Sequence, residues 1–146
     1  MAQEPNAEPE KKEMDAAQLQ TFKQLKIQSG ALNRLTIDLR LYMEELAKYK
    51  TQLTALREND DEEKEDKVKS KIKSKNDQIK ELEPVIQDVY QRWKNTIEKV
   101  DEMKQELKWD KVNYKLSEED QEEFKKADKF LLATEGDEFK SIKGGK

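Results

Sequence analysis

Residues 25–56 read LKIQSGALNRLTIDLRLYMEELAKYKTQLTAL, and a seven-residue repeat runs through them. One position of the repeat holds Leu25, Leu32, Leu39, Leu46 and Leu53. The position three residues further on holds Gln28, Leu35, Tyr42, Tyr49 and Leu56. Apolar residues at this alternating spacing form the stripe by which one helix packs against another. The spacing predicts a first helix over about residues 17–57. It ends at Asn59-Asp60-Asp61-Glu62-Glu63, where Asn and Asp favour a reversal and the acids can cap the next helix.

The stripe resumes beyond the reversal. Ile72, Ile79, Ile86, Trp93, Val100 and Leu107 occupy one position, and Val68, Leu82, Val89 and Met103 the other, with Lys75 and Thr96 as polar gaps. This predicts a second helix over about residues 63–109. Pro84 stands inside it, where proline removes a hydrogen bond and clashes with the preceding turn. The heptad phase is nevertheless unbroken from Ile72 to Leu107, and Pro84 falls on the side away from the seam. The prediction is therefore a kink rather than a helix end. Lys67, Lys69, Lys71, Lys73 and Lys75 spread around the axis as a solvated face, leaving Val68 and Ile72 together.

After Pro84 the apolar face widens to include Val85, Tyr90 and Ile97, which implies a second neighbour. The candidate is a third helix over about residues 117–134. Ser117-Glu118-Glu119-Asp120 resembles a helix start, and Phe124, Ala127, Phe130 and Leu131 recur at helical spacing. The fold class is all-α: an elongated antiparallel three-helix bundle with left-handed coiled-coil packing, helix 2 kinked at Pro84, spanning residues 16–135. Leu19 and Phe22, off the main seam, are placed to meet helix 3. Residues 1–15, with Pro5 and Pro9, read as a disordered tail, and residues 136–146 as a flexible C-terminal tail in which Phe139 and Ile142 dock weakly.

Composition limits what such a chain can do. The 146 residues carry 29 Lys and Arg against 33 Asp and Glu, a charged share of 42% with only 34% hydrophobic, so the core must be thin. Cys and His are both absent, which removes disulfides, the usual zinc, haem and iron–sulfur ligands, the commonest general base and the best thiol nucleophile. No Gly-rich phosphate loop or nucleophile motif replaces them. The expectation is no enzyme, no cofactor and no metal. A net charge of -4 and an isoelectric point of about 5.2 disfavour nucleic acid as a partner. No apolar run approaches the roughly 20 residues of a membrane span, and MAQEPNAEPEKKE lacks the apolar centre of a signal peptide. The chain reads as a soluble cytoplasmic protein.

Opposite the seam, helix 1 carries a second, shorter stripe: Ile27, Gly30, Arg34, Ile37 and Leu41. In the antiparallel register helix 3 covers this stripe only before Gly30. Ile37 and Leu41, rimmed by Arg34, Asp38 and Arg40, are left as a partner surface, or as two stray surface aliphatics.

The stretch from Gln24 to Leu35 (QLKIQSGALNRL), followed by the Tyr42 region and Leu56-Arg57, resembles the first helix of the tubulin-binding cofactor A family. Pro84 matches a proline in that family's second helix, and Glu122-Glu123-Phe124-Lys125-Lys126-Ala127 is similar to its last helix. The resemblance covers about residues 22–134; the longer N-terminal tail and the insertion at residues 108–116, with Trp109 and Tyr114, depart from it. It implies a monomeric or homodimeric, cytoskeleton-associated chaperone that captures β-tubulin after its release from the chaperonin, with no nucleotide or metal. The expected contacts are Arg34, Ile37, Arg40 and Leu41 of helix 1, with the convex face near Pro84. The alternative is a structural coiled-coil scaffold of a cytoskeletal assembly, against which Tyr42, Tyr49 and Trp93 at seam positions argue.

Overall fold

A computed structural model of the chain describes residues 11–58, 65–140 and 142. The expected reversal at residues 59–63, most of the N-terminal tail and the last four residues lie outside them. Three helices make up the fold: α1 (Ala16–Glu58), α2 (Glu65–Glu106) and α3 (Glu118–Ala133), followed by a short 3-10 turn, Asp137–Phe139. The fold is a helix bundle, as the periodicity predicts, and the described residues form no strand.

Local chemistry sets the helix ends. Asp15 and Gln18 form a reciprocal cap at the start of α1: the Gln18 amide donates to Asp15 Oδ1 at 2.8 Å, and the Asp15 amide donates to Gln18 Oε1 at 2.9 Å. At α3 the Ser117 hydroxyl accepts from the Asp120 amide at 3.1 Å. α2 runs through Pro84. The proline is solvent-exposed, so water can reach the backbone carbonyl that its missing N–H would have engaged.

α2 stops three residues short of the expected end at Trp109. Lys108 adopts a left-handed conformation, φ 52°. Its amide donates to the Gln105 carbonyl at 3.0 Å, and the Trp109 amide reaches back to the Lys104 carbonyl at 3.2 Å. This is a Schellman motif with lysine where glycine is usual, and the absence of that glycine is why the sequence pattern runs on too far.

The chain divides into two compact units. The first joins the described residues up to Asn33 with Thr96–Glu135. Its core holds Phe22, Leu25, Leu32, Val100, Leu107, Tyr114, Phe124 and Ala127. Phe124 is sandwiched between Trp109, with ring centroids 3.6 Å apart, and Phe22, at 4.6 Å. Asp128 fixes the indole: Trp109 Nε1 donates to Asp128 Oδ2 at 3.1 Å, while Lys104 pairs with the other carboxylate oxygen. The segment between α2 and α3 is packed as well. The Tyr114 hydroxyl donates to the Leu107 carbonyl at 2.5 Å, and Lys12 flanks Tyr114 in a parallel bridge, donating to Asn113 at 2.8 Å and accepting from Lys115 at 2.9 Å.

Ahead of α1, Lys12 is held through its backbone and Asp15 through its cap. Leu19 departs from expectation. Phe22 reaches α3 but Leu19 is 54% exposed, because the face that meets Phe124 is the one bearing Phe22, Leu25 and Ser29.

The second unit joins Arg34–Asn95 with the described residues from Gly136 onward. Thr36, Leu39, Ile79, Leu82, Ile86, Trp93 and Phe139 are buried in it. Phe139, expected to dock weakly, packs in the core of this unit. It is fully buried, 5.0 Å from the Trp93 ring, because Trp93 offers an aromatic surface that an exposed terminus would leave in water.

Candidate partner-binding face

All four α1 residues singled out from the sequence belong to the second unit. Arg34, Ile37 and Leu41 follow one another at steps of three and four, so a helix sets them on one stripe, with Arg40 beside Ile37 and Leu41. The buried face of α1 is the opposite one, carrying Thr36 and Leu39. Ile37 is 42% exposed and Leu41 56%, which leaves two adjacent aliphatic side chains in water. Arg34 is exposed too.

Arg40 is held differently. Its Nε donates to Glu138 Oε2 at 3.0 Å, and its guanidinium carbon lies 5.9 Å from the centre of the Phe139 ring. Pro84 sits on the other helix, exposed and next to Val85, which is itself 40% exposed. The structure therefore gathers Arg34, Ile37 and Leu41 into one stripe with Arg40 at its edge, and sets Pro84 on a separate element.

Sequence reasoning missed the supports of this face. Thr36 is buried and its hydroxyl accepts the Trp93 indole N–H at 3.0 Å, pinning α1 to α2 directly behind Ile37. Thr36 stands four residues after Leu32, and Ser29 four after Leu25, so both fall on the helical periodicity; only their polarity hid them. Of the other supports, Phe139 is a residue already expected to dock, while Glu138 beside it carried no signal of its own.

Aliphatic surface flanked by guanidinium groups offers contact area and directed hydrogen bonds to a carboxylate or carbonyl. Among the described residues no group of three or more His, Cys, Asp or Glu is placed to hold a metal, and no helix is long and apolar enough to cross a membrane. An opening of about 540 Å³ lies between α1 and α2 and is lined by Gln52, Ala55, Leu56, Lys71, Ser74, Lys75 and Gln78. One of its lysines, Lys75, stands 4.7 Å over the Tyr49 ring.

A helix bundle with an exposed aliphatic and cationic stripe has the build of a protein that works by contact with another macromolecule. The model of the family described as tubulin binding cofactor A matches residues 20–131, most of the chain. The chain belongs to that family, whose name assigns it a tubulin-binding cofactor role. Comparisons with curated proteins and with solved structures found no match.

Proposed function

We propose that the chain is a cytoplasmic chaperone that captures β-tubulin after its release from the chaperonin and holds it on the route to the αβ heterodimer. It acts as a monomer or homodimer at the cytoskeleton. The observation that carries this reading is the pair Ile37 and Leu41, exposed side by side on α1 within the span matched by the family. Burying two half-exposed aliphatic side chains contributes about 1–3 kcal/mol. That is enough to discriminate a partner, yet it leaves no catalytic step to perform. Arg34 and Arg40 add directed polar contacts, and Pro84 contributes from α2. Capture of this kind is stoichiometric: it covers a surface of the folding intermediate that would otherwise aggregate.

The test is the double substitution Ile37→Ser with Leu41→Ser. Both side chains lie outside the core, so helicity and melting stay as in the parent while affinity for free β-tubulin falls about tenfold, the equivalent of ~1.4 kcal/mol. Loss of fold with unchanged affinity per folded molecule would make the pair structural and end this reading of the face.

A further inference from the structure

The family match stops at residue 131, but the chain goes on to place a short segment against the same unit that bears the partner face. Phe139 is fully buried beside Trp93. Ile142 lines an opening of about 390 Å³ together with Met43, Leu46, Ala47 and Ile86. Between them and the stripe, Glu138 holds Arg40. Arg40 follows Ile37 by three residues and precedes Leu41 by one, so the segment grips the edge of the α1 face.

From this contact we infer that residues 136–140 form an autoinhibitory strap, whose Glu138 occupies Arg40 in the free protein and must release it before the α1 face is fully engaged. The inference rests on the reading that this face meets β-tubulin. The ion pair can open while the segment stays in place. The Arg40–Glu138 pair is half-exposed on both sides, 38% and 44%, and such pairs hold weakly and exchange readily. Phe139, fully buried against Trp93, anchors the segment, so it is the Glu138 carboxylate and not the whole segment that lets go. A guanidinium whose Nε already donates to a carboxylate in cis has one fewer directed contact to offer a partner. The apparent affinity of the face then scales with the fraction of molecules in which Arg40 is free of Glu138.

The experiment measures affinity for free β-tubulin with the full-length chain, comparing the parent with Glu138→Ala, Asp137→Ala and Arg40→Ala, and with Arg40→Ala and Glu138→Ala combined. Asp137 is the control for net charge, since its carboxylate is 91% exposed and faces Lys140 instead. The strap predicts that Glu138→Ala binds about three- to tenfold tighter than the parent. Asp137→Ala should match the parent, and the gain should vanish in the Arg40→Ala background. Glu138→Ala binding no tighter than the parent, where the parent binds, overturns the strap and leaves the tubulin reading standing. A gain shared by Asp137→Ala, or persisting without Arg40, is an effect of overall charge and also overturns it. If neither the parent nor any variant binds β-tubulin, both inferences fall.

Discussion

The indole N–H of Trp93 donates to the hydroxyl of Thr36 across 3.0 Å, joining α2 to α1 through two buried side chains. A buried polar hydrogen must be satisfied, and Thr36→Val removes the oxygen that accepts this one while keeping the volume. The expected loss is about 1–3 kcal/mol in urea unfolding, with Thr36→Ser well below it. A larger cost for Thr36→Ser than for Thr36→Val would show that the methyl group, not the hydroxyl, matters at this position.

Phe124 is the middle ring of the stack formed with Trp109 and Phe22 and is fully buried. Phe124→Ala should cost about 3–5 kcal/mol, as truncation of a core aromatic does. Trp109 should report it, since the indole loses its stacking partner: its fluorescence in the folded state is expected to change with the substitution. A cost under about 1 kcal/mol would mean that the stack is dispensable.

Lys108 closes α2 in a left-handed conformation that an L side chain adopts at a cost. Lys108→Gly is expected to stabilise the chain by about 1 kcal/mol, because glycine meets no steric penalty there. Thermal unfolding checks this; a destabilised variant would show that the lysine side chain contributes more than its backbone strain takes away.

Burial raises the Tyr114 phenol above the usual tyrosine value, with the negative charge of Asp15 adding to the effect. The unfolded chain therefore loses this proton first, and the contribution of Tyr114 to stability, fully present at neutral pH, is lost as pH rises from the ordinary value of 10.0 through the raised one. Tyr114→Phe should flatten the alkaline fall in stability measured by denaturant unfolding. At neutral pH the same variant should be less stable than the parent, because the hydrogen bond to the Leu107 carbonyl is gone.

The helices were legible because their stripes are long. Leu25, Leu32 and Leu39 are buried as the heptad requires, and so are Ile79, Ile86, Trp93 and Val100 of α2 and Leu107 just beyond it. The companion row of α1 was less legible. Gln28, Leu35, Tyr42 and Tyr49 are only half-buried, while Ser29 and Thr36 take full burial in their place. A two-helix seam favours the first row; packing by a further element shifts burial round the helix toward the second, and a periodicity built on apolar residues does not register Ser or Thr. The exposure of Ile37 and Leu41 followed from the antiparallel register, whereas the engagement of Arg40 depended on a contact 98 residues away in sequence, for which no local pattern exists. The α2 end was misplaced for a local reason, a lysine standing at a glycine position.

The most direct measurement is co-elution of the purified chain with β-tubulin freshly released from chaperonin, with intact αβ heterodimer run beside it. Capture of a folding intermediate through the α1 face predicts a stoichiometric complex with free β-tubulin that is weakened by Ile37→Ser with Leu41→Ser, and no comparable complex with the heterodimer. Failure to co-elute with free β-tubulin, or equal binding to both forms, would contradict it.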